Sequence, residues 1–166
     1  MSDKLFEKLK NLYREVDSLA NELSEFHAER LKCQKGCSAC CVDGIAVFGI
    51  EAENIRRKHR DLVGEKKPHP AGFCAFLDQA GGCRIYPDRP YVCRTQGLPL
   101  RWFEEIEREW IELRDICPLN EEGEPLEELP ADKCWTIGEF EGRLAELQKR
   151  FGRGALEREK LRDLFA

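Results

Sequence analysis

Apolar residues recur at helical spacing near both ends of the chain and lose that regularity between them. Leu5, Leu9, Leu12, Val16, Leu19, Leu23 and Phe26 alternate steps of four and three, with Phe6, Tyr13, Ala20 and His27 alongside at steps of seven. The combined stripe is wider than a coiled-coil seam, so it predicts a long amphipathic helix packed within its own domain. Near the other end, Thr136 with Glu139 three residues on reads as a capping box. Phe140, Leu144, Leu147 and Phe151 then give one apolar face. Gly152 and Gly154 interrupt this helix, and Ala155 to Phe165 is expected to resume it.

Between these ends the signals are short. Cys33 to Val42 reads as a loop opened by Gly36, Ile45 to Ile50 as an extended stretch, and Glu51 to His59 as a short helix ended before Gly64 and Pro68. Phe73 to Leu77 and Cys83 to Tyr86 flank Asp78-Gln79-Ala80-Gly81-Gly82, a pattern that predicts a β-hairpin. The hairpin would bring Cys74 and Cys83 into one neighbourhood, but the register that decides whether they share a face is not legible in sequence. Pro87-Asp88-Arg89-Pro90 is a turn that returns Cys93 towards the hairpin. Trp102, Phe103, Ile106, Trp110 and Leu113 are read as a further amphipathic helix, and Pro118, Gly123, Pro125 and Pro130 mark the loop after it. The expectation is a mainly α fold with a cysteine-rich, largely irregular middle region containing a short β-hairpin. It is read as one metal-stabilised domain: an amphipathic helix over 1–32, a cysteine-cluster region over 33–120, and C-terminal helices over 136–166.

With 166 residues, 42% of them hydrophobic, the chain is long enough to form a core without disulfides. The net charge of −5 is uneven: 104–128 holds eleven acidic and two basic residues. That balance argues against nucleic acid as a partner, since phosphate binding needs a concentrated basic surface. Arg56, Arg57, Lys58, Arg60, Lys66 and Lys67 read as a solvated helix end and loop. No apolar run is long enough to span a membrane, and the N-terminus lacks an apolar signal core, so a cytoplasmic protein is expected. The helix faces offer a surface for a protein partner.

The chain carries nine cysteines: Cys33, Cys37, Cys40, Cys41, Cys74, Cys83, Cys93, Cys117 and Cys134. In a reducing compartment a disulfide framework is not expected, and an odd count fits one poorly. Cys134 alone suits a buried apolar role. Cys37, Cys40 and Cys41 beside Gly36 do not, because crowded thiolates need a cation to offset their charge. Cys37-Ser38-Ala39-Cys40 is a chelating pair of the kind that structural zinc sites use in twos. Here the second pair is replaced by single cysteines. Cys41 follows Cys40 directly, so in extended backbone their sulfurs point to opposite faces and two centres, or two sides of one cluster, are open. The candidate ligands are Cys33, Cys37, Cys40, Cys41, Cys74, Cys83, Cys93 and Cys117. The cofactor is zinc or an iron–sulfur cluster, with dispersed single cysteines leaning towards iron–sulfur.

His27 belongs to the helix face, and His59 and His69 read as surface residues. Arg89 and Arg94 flank Cys93, placed either to donate hydrogen bonds to cluster thiolates or loop carbonyls or to form simple ion pairs. No Ser/His/Asp set or phosphate-cradling loop stands out, and no reaction is assigned. Besides a metal-binding protein, the readings are an iron–sulfur enzyme or electron carrier, and a thiol redox protein using Cys37-x-x-Cys40.

These residues also carry a resemblance. Cys33-Gln34-Lys35-Gly36-Cys37-Ser38-Ala39-Cys40-Cys41 resembles the Cys-x-x-Cys-x-x-Cys-Cys signature of a cysteine-cluster family of zinc- or iron-chelating domains. Cys74-Ala75-Phe76-Leu77, Gly82-Cys83-Arg84-Ile85-Tyr86, Arg89-Pro90, Cys93-Arg94 and Cys117-Pro118 are similar to its later elements, so the resemblance spans about 33 to 120. It departs from the signature where three residues, not two, separate Cys33 from Cys37. The resemblance implies metal chelation. The family is similar in part to flagellin lysine N-methylases, which use S-adenosylmethionine; this sequence lacks a glycine-rich strand–turn–helix for that cofactor, so a protein-modifying methyltransferase-related component is the remoter alternative that the resemblance implies.

Overall fold

The computed structural model describes residues 2–166. Helix α1 (Ser2–Phe26) follows the stripe read from sequence and buries Leu9, Leu12, Tyr13, Val16 and Ala20. It packs on α5 (Glu139–Phe151), which buries Phe140, Leu144 and Leu147. Tyr91, Leu98 and Trp135 complete this first core. A second core gathers Val47, Ala52 and Ile55 with Cys74, Ala75, Phe76, Leu77 and Ile85, closed by Leu161, Leu164 and Phe165.

The segment joining the two cores is β1 (Ala46–Phe48) followed by α2 (Gly49–Lys58). Ile50 faces the first core, and Ala52 and Ile55 face the second. Glu51 lies between them, buried, accepting from Tyr13 Oη at 2.8 Å, Tyr91 N at 2.8 Å and Phe48 N at 3.2 Å. Three donors make burial of one carboxylate tolerable. Short helices α3 (Arg60–Gly64) and α4 (Tyr91–Arg94) follow.

Five expectations need correction. The fold is mixed α/β, not mainly α. The helix expected around Trp102–Leu113 is an antiparallel hairpin, β2 (Leu100–Ile106) and β3 (Glu109–Asp115), in which Glu105 faces Trp110. Trp102, Phe103, Ile106 and Trp110 are aromatic or β-branched, and Glu107 and Arg108 adopt φ of 53° and 71°, the left-handed pair of a two-residue hairpin turn. Apolar steps of four suit a helix and are also even, so they fit a strand equally well. The expected C-terminal helix over 155–165 is instead β5 (Arg158–Lys160), paired with β1, followed by a 3-10 turn over Leu161–Phe165. Here the free edge of β1 and the second core outweigh local helical pattern. The capping box expected at Thr136 also moves: Thr136 lies in β4 (Trp135–Thr136), parallel to β2, and α5 starts after Gly138, whose N–H donates to Glu141 at 2.6 Å. The hairpin expected over 73–86 reduces to an isolated antiparallel bridge, Leu77 opposite Cys83.

Candidate metal centre

Residues 32–46 contain no buried side chain. They are shaped by local turns, in which Cys37 N–H donates to Gln34 O and Cys41 N–H to Ser38 O, both at 2.9 Å. The loop rests on a second one, over 78–82. There Asp78 closes the turn by accepting from Ala80 N and Gly82 N at 2.8 Å each. Gly81 has φ +79°, and a Cβ there would stand 3.0 Å from the Gly36 carbonyl oxygen, so both conformation and space require glycine. The far end of the loop is tied by Cys74 N–H to Cys41 O at 2.9 Å and by the bridge between Val42 and Phe73. This places the Cys40-Cys41 pair beside Cys74.

Cys74 and Cys83 occupy similar turns. Leu77 N–H donates to Cys74 O at 3.1 Å, and Tyr86 N–H to Cys83 O at 3.3 Å. The sulfur of Cys74 receives the Phe76 N–H, and that of Cys83 the Ile85 N–H. Such N–H groups aimed at sulfur stabilise thiolates and are a recurrent feature of metal–thiolate centres. Cys93 sits on α4, its N–H donating to Pro90 O at 3.0 Å. Glu51 holds the first N–H of that helix at Tyr91. Arg94 holds its end, bonding Asp17 at 2.5 Å and Pro87 O at 3.2 Å while lying 3.9 Å from the Tyr13 ring centre.

The thiols of Cys40, Cys41, Cys74, Cys83 and Cys93 share an electrostatic neighbourhood. Burial and then the charges of Cys74, Cys83 and Cys40 push Cys93 up to about 12. Burial, opposed by the N–H groups, raises Cys74 and Cys83. Cys40 goes the other way, to about 6, because the Cys41 thiol donates to it and Arg89 lies nearby, and Cys41 is raised in turn. Arg89 also acts on Cys83. Its guanidinium stacks 4.0 Å from the Tyr86 ring centre, and its buried Nε has no hydrogen-bond partner among the described residues. Arg89 therefore lies within electrostatic reach of Cys40 and Cys83, whereas Arg94 forms the ion pair with Asp17.

The other cysteines lie differently. Cys33 Sγ accepts from Asn120 Nδ2 at 3.4 Å. Asn120, fully buried, also donates to Gly97 O and accepts from Lys32 N, while its own N–H bonds Cys117 O at 2.7 Å. One amide thus joins the surroundings of Cys33 and Cys117. Nothing about the residue types predicted this, since the partners are remote in sequence. Cys37 is half-buried. Cys134 is buried, 4.0 Å from Arg114, and not among the charges felt by the five thiols. His27 Nε2–H donates to Lys133 O at 2.7 Å, His59 meets Asp88 at 3.0 Å, and His69 packs edge-on against Phe73.

Among the described residues, no three Cys, His, Asp or Glu side chains already form an ion-sized cage. The donor set nonetheless fits a thiophilic metal: soft sulfurs from four separate segments, two with N–H support, and a nearby cation to offset thiolate charge. The family model CxxCxxCC, described as "Putative zinc- or iron-chelating domain", matches residues 32–118, just over half of the chain. No curated protein and no solved structure matches the chain.

Proposed function

The chain belongs to the CxxCxxCC family of zinc- or iron-chelating domains, and from that premise we propose that it is a metal-binding protein built on an all-cysteine zinc or iron–sulfur centre. The observation that carries this reading is the paired turns at Cys74 and Cys83, which turn sulfurs and supporting N–H groups into the neighbourhood of Cys40, Cys41 and Cys93. Ligands are drawn from Cys33, Cys37, Cys40, Cys41, Cys74, Cys83, Cys93 and Cys117. Cys40, Cys74, Cys83 and Cys93 form the nucleus, with Cys41 beside it. Four thiolates suit either Zn²⁺ or iron–sulfur ligation. Iron–sulfur is favoured because the donors come singly from separate loops, not as two Cys-x-x-Cys pairs.

Bound zinc would supply a cross-link between loops, and an iron–sulfur cluster would add electron transfer. The chain's own residues orient the sulfurs through turns, offset charge through Arg89 and hold α4 through Glu51. Anaerobically purified, tag-free protein tests the proposal by metal analysis, acid-labile sulfide and visible absorption. Brown protein with iron and sulfide is expected, and colourless protein with stoichiometric zinc would restrict the centre to zinc. Protein without stoichiometric metal after loading with either would sink the reading.

A second reading, a thiol redox protein, rests on Cys40, held near pKa 6 beside the Cys41 donor. Alkylation separates the two: full protection of Cys40 in metal-loaded protein leaves no reactive thiol, whereas rapid labelling of Cys40 in that state favours redox chemistry.

A further inference from the structure

The β2–β3 hairpin runs out of the fold as an arm. Every residue from Phe103 to Glu112 is exposed. Trp110 is 70% exposed, Phe103 49% and Ile106 42%, so large apolar groups stand in water where ordinary surface design would avoid them.

The rungs of the arm follow one rule. Phe103 faces Glu112, Glu104 faces Ile111, Glu105 faces Trp110 and Ile106 faces Glu109. Each rung places one carboxylate against one apolar side chain, and successive rungs alternate between the two faces. Glu112 is engaged by Arg101 and Arg114. Glu104, Glu105, Glu107 and Glu109 have no ion-pair or hydrogen-bonded side-chain partner among the described residues. Charges alone would be explained as protection of an edge against aggregation. That explanation leaves Trp110, Phe103 and Ile106 without a reason to be there.

The arm also has a free edge. In the sheet order β3-β2-β4, β3 is outermost, and among the described residues no backbone bond from Glu109 to Leu113 runs outward. An added strand would find unpaired N–H and C=O groups there. A second copy is disfavoured as the occupant, because two such arms would bring their unpaired carboxylates together.

We propose that the edge of β3 binds an extended segment of a partner protein carrying basic and apolar residues. Basic side chains meet Glu104, Glu105, Glu107 and Glu109, apolar ones cover Trp110, Ile111 and Phe103, and the backbone continues the sheet. This site is independent of the metal centre.

The test uses the full-length, metal-loaded protein and a synthetic peptide with the core Lys-Val-Ile-Arg, with Glu-Val-Ile-Glu as the control. Backbone amide exchange and Trp110 fluorescence report binding. New protection within Glu109–Leu113 is expected with the basic peptide only. Raising ionic strength from about 0.05 to about 0.5 M should weaken binding by about tenfold or more. The combined Glu104→Gln, Glu105→Gln, Glu107→Gln and Glu109→Gln variant should weaken it similarly, with metal content and thermal midpoint unchanged. Trp110→Ala should weaken it at any salt. Equal binding of the acidic peptide, or absence of protection on β3, overturns the proposal. Concentration-dependent dimerisation that protects the same amides without peptide overturns it in favour of a second copy.

Discussion

Cys74 and Cys83 are presented by two similar turns: each sulfur receives the N–H two residues ahead, and each carbonyl receives the N–H three residues ahead. The bridge between Leu77 and Cys83 joins these turns, and Arg84 N–H to Phe76 O at 2.9 Å extends it. Repeated local geometry of this kind makes Cys74 and Cys83 equivalent donors in the proposed centre.

Cys74→Ser and Cys83→Ser should therefore have matching effects. Each should lower metal affinity by about tenfold or more, the scale on which even supporting groups of a metal site act. Cys134→Ser should leave metal content unchanged, because Cys134 lies beside Arg114, outside the thiol group. Metal-to-protein ratios after dialysis against a weak chelator check this. A large loss in the Cys134 variant alone would contradict the assignment.

Removal of metal should open one segment before others. Residues 32–46 bury no side chain, whereas Cys74, Ala75, Phe76, Leu77 and Ile85 stay anchored in the second core. Site formation and folding are coupled where apolar burial is lacking. Limited proteolysis after chelation should cut first within 32–46, while the circular dichroism of α1 and α5 persists. An unchanged cleavage pattern would count against a structural metal.

Metal loading should release protons, with a sign set by the thiols. Burial raises Cys74, Cys83 and Cys93, the last to about 12, so these hold protons at neutral pH in the metal-free protein. Cys40, near 6, is already a thiolate. Ligation by these four should expel about three protons per ion near pH 7.5. Affinity should then fall about a thousandfold per pH unit lowered in that range. Calorimetry in buffers of different ionisation enthalpy measures the proton number, and a value near zero would exclude these ligands.

Glu51 joins the two cores, and its loss should be severe. Glu51→Ala strands the Tyr13 hydroxyl and the Tyr91 and Phe48 N–H groups in a buried site. The expected cost is about 3 kcal/mol or more, and Glu51→Gln should cost less by retaining an acceptor. Urea denaturation midpoints compare the two.

Gly81→Ala should loosen the apposition of the two loops. Positive φ and the 3.0 Å approach to Gly36 O together predict a loss of about 1–2 kcal/mol. Faster chelator removal of metal from this variant, with α1 and α5 unaltered, is the expected readout.

The sequence by itself determined the amphipathic helices at α1 and α5, the short helix at α2 and the concentration of thiols around Gly36. Each of those is a local pattern, carried by spacing within a few residues. Its motifs also identified the family, since fixed cysteine spacings survive as signature whatever the surrounding fold. Tertiary structure decided the arm, because even apolar steps satisfy helix and strand alike and only the left-handed pair Glu107-Arg108 and cross-strand pairing select between them. It decided the end of the chain, where β1 recruits Arg158–Lys160 across more than a hundred residues. It also decided which thiols share a neighbourhood. That grouping depends on turn geometry, on the Gly81–Gly36 contact and on the anchors Glu51 and Asn120, whose partners lie far away in sequence and leave no periodic trace.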